Sequence, residues 1–151
     1  MRIAIGSDHA GFNLKQDVIK LLEELGHQVY DVGAYSADPS DYPDFATAVG
    51  RMVTNGEADL GILICGTGIG MSIAANKIKG IRAAACHDVF TARMAREHND
   101  ANILCLGAWV IGRGVAMEVV RTFLESSFSG AERHQRRLAK IRALEEQCSS
   151  G

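Results

Sequence analysis

The chain alternates short, nearly uncharged apolar runs with longer segments in which apolar positions recur at helical spacing. The short runs predict five strands, at residues 2–7, 28–32, 60–65, 81–86 and 103–106. The longer segments predict helices at residues 12–25, 44–55, 90–97 and 115–126, and a further short helix after the third strand. Strands that are apolar throughout and alternate with helices are typical of a parallel sheet covered on both faces. We therefore expect one α/β domain over residues 1–151, a three-layer sandwich of Rossmann-like or flavodoxin-like form.

The third predicted strand runs directly into a glycine-rich loop. Cys65 ends the apolar run, glycines stand at positions 66, 68 and 70, and a small-residue segment with helical spacing follows. Such a loop delivers its backbone N–H groups to a helix N-terminus, where unpaired donors and the helix dipole favour an anion. The same field would stabilise a thiolate at Cys65. The alternative is a turn that serves only close packing between strand and helix.

Three familiar phosphate-binding motifs do not match this loop. A dinucleotide fingerprint requires its third glycine where this chain has Met71, and a P-loop requires Gly-Lys-Ser/Thr, which occurs nowhere in the sequence. A cysteine phosphatase loop requires an arginine six positions after the nucleophile, which is again the position of Met71. The sequence therefore predicts an anion site of another kind.

Polar residues follow two of the predicted strands. Asp8 and His9 follow the first strand, and the segment from Cys65 to Gly70 follows the third. Because ligands of open α/β sheets bind beyond the carboxyl ends of the strands, these two segments can share one pocket. Residues 98–100 are predicted to lie between the fourth helix and the fifth strand. They must therefore act from the other end of the sheet or belong to a second subunit.

The tail at residues 131–146 predicts a helical extension that is net positive in an acidic chain. Arg133 and Arg137 are four residues apart and so share one helical face. Leu138, Ile141 and Leu144 form a narrow apolar stripe. We expect this helix to dock across a dimer, because the stripe needs a surface on which to pack.

Composition narrows the class of partner. The formal net charge of −2 and the aromatic content of 6% argue against nucleic acid, and the longest uncharged run, residues 60–76, is too short to span a bilayer. The four cysteines show no C-x-x-C spacing, and no segment at the N-terminus resembles a signal peptide. We therefore expect a cytoplasmic protein with reduced thiols, no membrane partner and no zinc site.

Seven short segments, distributed over nearly the whole chain, carry a set of motifs in a fixed order. They are Gly6-Ser-Asp8-His9-Ala-Gly11, Asp41-Tyr42-Pro43-Asp44, Cys65-Gly-Thr-Gly-Ile-Gly70, Ala74-Ala-Asn76-Lys77, Gly80-Ile-Arg82-Ala, Arg96-Glu-His98-Asn99-Asp100-Ala-Asn102 and Arg133-His134-Gln. In residue types, order and spacing they resemble the ribose-5-phosphate isomerase B family of sugar-phosphate isomerases.

The resemblance implies an aldose–ketose isomerase that needs no metal or organic cofactor. Cys65 would be the base that takes the C2 proton of the aldose. His98 would carry the proton transfer that opens the sugar ring, with Asp8 as its partner. Thr67 would offer a hydroxyl to the enediolate oxygens or to the opening ring. The expected reaction interconverts ribose 5-phosphate and ribulose 5-phosphate through a cis-enediolate.

The resemblance also implies the binding residues. The loop amides from Gly66 through Gly68 and Ile69 to Gly70 would hold the enediolate oxygens, and Asn99 would bind these oxygens or a hydroxyl group. Tyr42 would contact the substrate, and the phosphate would be held by His9, Arg133 and Arg137. In this family the site lies between subunits, so a homodimer is the smallest active unit, with a tetramer as a further option.

One position departs from the family pattern. The family usually carries an arginine near the phosphate where this chain has Trp109. The indole cannot replace a charge, so phosphate affinity would fall or another sugar length would be preferred; stacking on substrate or plain dimer packing are alternatives. Arg113, four positions further on, could compensate. Three other functions stay open: isomerisation of another phosphosugar, phosphosugar binding without turnover, and cysteine-dependent transfer or hydrolysis.

Overall fold

The computed structural model describes residues 1–149 as an alternation of strands and helices. Ser150 and Gly151, the last residues of the predicted domain, lie outside the described part of the chain. The strands are β1 (Arg2–Ser7), β2 (Gln28–Asp31), β3 (Leu60–Cys65), β4 (Ala83–Ala85) and β5 (Ile103–Gly107). The helices are α1 (Phe12–Glu24), α2 (Tyr42–Thr54), α3 (Ile69–Ala75), α4 (Val89–Asn99), α5 (Arg113–Glu125) and α6 (Glu132–Ser149).

The five strands form one parallel sheet in the order β2-β1-β3-β5-β4. The order reverses between β1 and β3, which is where open α/β sheets bind their ligands. In the register of these two strands Ser7 lies opposite Ile64. The next residues along each strand, Asp8 and Cys65, therefore emerge side by side at the carboxyl edge.

Side chains of the strands alternate between two apolar cores, one on each face of the sheet. Helices α1, α4 and α5 cover one face, which includes Ile3, Ile5 and Ile62. Helices α2 and α3 cover the other face, which includes Leu63 and Cys65. These two layers of helices confirm the predicted three-layer α/β sandwich with a five-stranded parallel sheet.

The outer edge of the sheet, β4, is three residues long, which is shorter than predicted. Before it, the backbone N–H of Arg82 donates to the side-chain oxygen of Asn102 rather than to a strand. Outside it, the side-chain amide of Asn76 donates to the carbonyl of Ala83 at 2.9 Å and accepts from the Ala83 N–H at 2.8 Å. Asn76 thus occupies the outward backbone groups of Ala83.

Helix α2 begins earlier than the sequence suggested. The predicted start at residue 44 is too late, because Tyr42 and Pro43 already belong to the first helical turn after the N-cap Asp41. Proline is tolerated there because the first N–H groups of a helix have no intrahelical acceptor.

Helix α1 buries a lysine that its apolar spacing did not reveal. The Lys15 ammonium is 0% exposed and donates to Asp31 Oδ1 and to the Ala34 carbonyl, each at 2.6 Å. These bonds tie α1 to the segment that follows β2.

The C-terminal helix α6 packs on its own chain through its first half. His134 and Leu138 are buried there, whereas Ile141 and Leu144 are exposed. Leu138 therefore already has a partner surface within the chain, and docking of α6 across a dimer stays a prediction.

Candidate active site

The glycine-rich loop places the Cys65 sulfur at the start of α3. β3 ends at Cys65, and Gly68 takes the left-handed conformation (φ 77°) as the N-cap of α3. This turn directs the Gly68 N–H at Cys65 Sγ, 3.1 Å away. The sulfur therefore lies where the unpaired amides and dipole of a helix favour negative charge.

The loop amides divide into two groups. Besides Gly68, the Ile69 N–H is engaged within the loop, donating to Thr67 Oγ1 at 3.3 Å. Among residues 1–149, no acceptor meets the N–H groups of Gly66, Thr67 and Gly70. Of the five backbone N–H groups predicted to bind an anion, three are therefore available. The other two, of Gly68 and Ile69, already form hydrogen bonds within the loop.

Two glycines of the loop lie directly against aromatic rings. A Cβ on Gly66 would come within 2.5 Å of the Trp109 indole, and one on Gly70 within 2.6 Å of the Tyr42 ring. Any larger residue would displace these rings, since real Cβ atoms do not approach so closely. Both glycines are needed for the rings to flank the loop.

The segment after β1 contributes Asp8 and His9 to the same region. Asp8 is buried, and its Oδ1 accepts from the Gly11 N–H at 3.1 Å. The His9 N–H donates to Ser40 Oγ, and the Ser40 N–H donates to His9 Nδ1, both at 3.2 Å. The loop before α2 therefore fixes the imidazole of His9 at the pocket.

These residues line one open pocket of about 440 Å³ at the carboxyl edge of the sheet. The structure brings together most of the predicted site there. The lining residues are Asp8, His9, Ala10, Tyr42, Cys65, Gly66, Thr67, Ile69, Gly70, Ile73 and Trp109.

Four further predicted site residues form a second cluster on α4 and α6. His98 and Asn99 lie in the last turn of α4, not in a connecting loop as predicted, because the helix continues to Asn99. The His98 ring stacks on the buried His134 ring, with centroids 4.2 Å apart and planes 18° from parallel. Arg133 and Arg137 are exposed on α6 and have no ion-pair partner among residues 1–149.

The two clusters lie at opposite edges of the sheet. Asp100, which follows α4, accepts hydrogen bonds from Arg82, the residue just before β4. The end of α4 is therefore at the amino edge of the strands, whereas Cys65 ends β3 at the carboxyl edge. A larger groove of about 720 Å³ between α6 and β4 includes Asn99. It shares no residue with the pocket that contains Cys65.

Cys86 and Cys105 are the other two buried cysteines. Burial raises the pKa of the Cys86 thiol and raises the pKa of Cys105 well above its ordinary value. Both therefore remain protonated, as expected of thiols that serve the core. Cys148 is exposed near the end of α6.

Trp109, which stands where the resemblance implied an arginine, lines the pocket. Its backbone N–H donates to the Gly66 carbonyl at 2.9 Å, and the residue is 74% exposed within the chain. Arg113, considered as a substitute cation, instead pairs with Asp17 at 3.3 Å on the α1 side. The arginine therefore does not take the place of the missing charge in this chain.

Sequence reasoning missed two residues that hold predicted site residues in place. Ser40 contacts His9 across 31 positions of sequence, and nothing in the loop composition signals that contact. His134 stood in a matched motif beside Arg133, but its ring stack with His98 depends on how α6 packs on α4.

Within the described residues, no group of three or more His, Cys, Asp or Glu side chains is arranged to hold a metal ion. No helix of residues 1–149 combines the length and apolarity needed to cross a bilayer.

Comparison with known proteins identifies the family. Residues 3–141 match the family model described as Ribose/Galactose Isomerase. The chain belongs to the ribose/galactose isomerase family. It is 46% identical to ribose-5-phosphate isomerase B of Escherichia coli, over 96% of this chain and 97% of the relative. The isomerase is thus an enzyme of the aldose–ketose class.

Solved structures agree with this assignment. Ribose-5-phosphate isomerase B of Clostridium thermocellum superposes with a TM-score of 0.96 at 50% identity, covering 97% of this chain and 99% of that one. A ribose-5-phosphate isomerase B of Mycoplasma genitalium with bound ribulose-5-phosphate superposes with a TM-score of 0.91 at 44% identity, covering 96% of each chain. The fold and the sequence of the isomerase therefore match this family over nearly their whole length.

Proposed function

We propose that the isomerase interconverts D-ribose 5-phosphate and D-ribulose 5-phosphate through a cis-enediolate, with Cys65 as the base. The observation that carries the proposal is the position of the Cys65 sulfur, at the start of α3 and in a pocket shared with Asp8. The relatives support the choice of sugar, because those named above are ribose-5-phosphate isomerases and one holds ribulose-5-phosphate.

Proton transfer is the central step. The Cys65 thiolate takes the proton from C2 of the open-chain aldose, the electron pair forms the C1–C2 double bond, and the carbonyl oxygen O1 becomes anionic. The free N–H groups of Gly66, Thr67 and Gly70 can donate to the enediolate oxygens, and each such donor lowers a barrier by about 3 kcal/mol in related sites. A proton then moves from O2 to O1, and the thiol returns a proton to C1, which yields the ketose.

Ring opening comes first, since an aldopentose 5-phosphate is mainly a closed furanose. His98 as an acid gives a proton to the ring oxygen, the bond from C1 to that oxygen breaks, and the C1 hydroxyl gives its proton to solvent, which the open pocket admits. Asp8, buried beside the sulfur, polarises the sugar hydroxyls. The roles of Asp8 and His98 require that both reach one sugar.

A second copy of the chain can supply that arrangement. Within one chain, His98, Asn99, Arg133 and Arg137 lie at the opposite edge from Cys65, so the complete site would form between subunits of a homodimer. The rim of the pocket favours such a partner, because it exposes large apolar side chains that normally mark an interface. They are Tyr42, Ile69, Ile73 and Trp109.

Phosphate binding would then combine groups of both chains. His9 comes from the chain that carries Cys65, and the unpaired Arg133 and Arg137 come from the partner copy. Guanidinium groups present paired donors that match two phosphate oxygens, and exposed cations lose little when they bind an anion. Tetramers remain open as a further level of assembly.

A different phosphosugar is the alternative substrate, and Trp109 favours it. An indole at the position of a phosphate-binding arginine changes the space and the charge near the end of the sugar. The candidates are tetrose 4-phosphates and two hexose phosphates, allose 6-phosphate and galactose 6-phosphate.

The free thiols support a cytoplasmic location. Cys65, Cys86 and Cys105 are free and buried, and none is paired in a disulfide. Reduced thiols suit the cytoplasm, where sugar phosphates are metabolised, and we place the isomerase there.

The test is turnover of ribose 5-phosphate by the purified protein in the presence of EDTA, with formation of ribulose 5-phosphate measured directly. In deuterium oxide the products should carry deuterium at C1 or C2. Cys65→Ala should lower turnover by roughly a thousandfold or more, the range of a lost general base. Cys86→Ala is the matched control and should retain activity. Full activity of Cys65→Ala would refute the assignment of the base.

A further inference from the structure

The stacked pair of histidines between α4 and α6 is the feature that the reaction scheme leaves unexplained. His98 and His134 lie nearly parallel with centroids 4.2 Å apart. His134 is 5% exposed, and its Nε2 has no hydrogen-bond partner among the described residues. A buried polar atom without a partner is uncommon, so this ring is held there at a cost.

The surroundings of His134 keep it uncharged. The charged and titratable groups around it are His98 on α4 and Arg133 and Arg137 on α6 itself. Burial is the largest of the effects that lower the pKa of His134. The electrostatic effects of His98 and then of the two arginines lower it further. Protonation would also put a positive N–H on the unpaired Nε2, with no acceptor to receive it.

A neutral His134 ring presents an uncharged flat face to His98. Two parallel imidazolium rings at this distance would repel each other, whereas a neutral aromatic ring attracts a cation over its face. His98 is the more exposed of the two rings and is therefore the one that a ligand can reach.

We propose that His134 is a positioning residue for His98, whose ring plane it fixes. This inference rests on the proposed function, in which His98 opens the sugar ring. His134 touches neither substrate nor reacting atoms. It acts through the flat face that it presents to His98, so its importance should be confined to ring opening.

The substrate pair allows ring opening to be separated from proton transfer at carbon. Ribulose 5-phosphate has no free hydroxyl at C5 and is therefore open-chain. Exchange of its C1 hydrogen with solvent deuterium needs Cys65 and the loop amides but not ring opening. Turnover of furanose ribose 5-phosphate needs both steps.

The variants His134→Phe and His134→Leu provide a matched comparison. Both replace the ring by an apolar side chain of similar bulk, but only phenylalanine keeps a flat face. We expect His134→Phe to turn over ribose 5-phosphate within about threefold of wild type and His134→Leu to lose about tenfold, the scale of an aromatic stacking contact. Both variants should exchange deuterium into ribulose 5-phosphate at the wild-type rate.

Three results would overturn the proposal. Equal turnover by the two variants would remove the role of the flat face. A parallel loss of turnover and exchange would indicate a general structural role for His134. Disappearance of the alkaline limb of the pH profile in His134→Phe would make His134 itself the proton donor. By contrast, a wild-type protein that shows neither turnover nor exchange would refute the proposed function itself.

Discussion

Ser40 holds His9 by two reciprocal hydrogen bonds, each 3.2 Å long. The bond from the Ser40 backbone N–H decides the state of the imidazole, because an amide can only donate. His9 Nδ1 is therefore the acceptor, and the neutral ring carries its proton on Nε2. Nε2–H is then the group that His9 can offer to a phosphate oxygen.

This geometry predicts opposite behaviour of two variants at position 9. His9→Asn keeps an acceptor near the position of Nδ1 but loses the donor at Nε2, whereas the longer His9→Gln can place an amide N–H near Nε2. Loss of a hydrogen bond to a charged group costs about 1.5–3 kcal/mol, so His9→Asn should raise KM about 10- to 100-fold. His9→Gln should raise it much less. Equal KM values would contradict the assignment of Nε2 as the donor.

Mixing two inactive variants tests whether the site is shared. One partner is Cys65→Ala, and the other is the double variant Arg133→Ala/Arg137→Ala. Random re-association of equal amounts gives about half hybrid dimers, each with one intact site, so activity should return to about a quarter of wild type.

The control for this mixture lies on the same helix. Arg136 pairs with Glu132 at 2.8 Å and is exposed like its neighbours, so Arg136→Ala alone should remain active. A mixture that stays inactive after exchange of subunits would mean that each site is built within one chain.

Substitution of Trp109 tests specificity. Trp109→Arg adds a guanidinium at the pocket wall, and a charge-assisted bond to phosphate should lower KM for ribose 5-phosphate about tenfold. Trp109→Ala removes the indole without adding charge and separates space from charge. The measurement is kcat/KM for aldose phosphates of four, five and six carbons. An unchanged preference in both variants would show that Trp109 does not determine specificity.

The histidines with lowered pKa values predict how stability depends on pH. Burial lowers the pKa of both His134 and His27, and the N-terminal ammonium of Met1, 3.1 Å from His27 Nδ1, adds to the effect on His27. Below about pH 6.5 the unfolded chain binds protons that these folded rings do not. Stability from this source is therefore fully present above that pH and is lost as the pH falls.

Urea unfolding between pH 7.5 and 5.5, an interval set around the ordinary histidine pKa of about 6.5, measures this effect. The midpoint of wild type should fall toward acid, and that of His134→Phe should fall less steeply. Arg121→Ala, which keeps both histidines, should retain the wild-type slope. An identical slope in His134→Phe and wild type would contradict the prediction.

Removal of the buried Lys15 should destabilise the fold. Lys15→Ala removes the cation that pairs with the Asp31 carboxylate, which keeps only the Gly33 N–H at 2.9 Å, and it removes the donor to the Ala34 carbonyl. Breaking a buried ion pair in this way costs about 3–5 kcal/mol, to be measured as the free energy of unfolding in urea. The exposed i,i+4 pair of Arg136 and Glu132 is the reference, and its removal should cost about 0.5 kcal/mol or less. A similar loss for both would show that Lys15 contributes no more than a surface charge.

The sequence predicted the elements best where burial is uniform. β3 was predicted at its observed bounds because every residue of it is buried, so the apolar pattern and the strand coincide. β4 was predicted too long because apolar side chains continue beyond its ladder, where the Asn102 side chain takes the Arg82 N–H. The spacing and hydropathy of residues do not indicate that a side chain will take a backbone N–H in place of a neighbouring strand.

One part of the arrangement of the candidate residues could be predicted from the sequence, and another part could not. The loop after β3 and the pair after β1 meet because parallel strands end at one edge, which topology alone implies. The contacts of Ser40 with His9 and of His134 with His98 depend on how a long loop and the last helix pack. Lys15 was likewise hidden, since a lysine on an amphipathic helix is normally solvated.

The side chain of Asn76 blocks the outer edge of the sheet at β4. Because its carboxamide already satisfies the outward N–H and C=O of Ala83, and β4 has three residues, a strand from another molecule finds no continuous ladder to join. Lateral growth into extended sheets or fibres is thereby discouraged on this side. At this edge, any contact between copies of the isomerase would have to use side chains rather than a shared strand ladder.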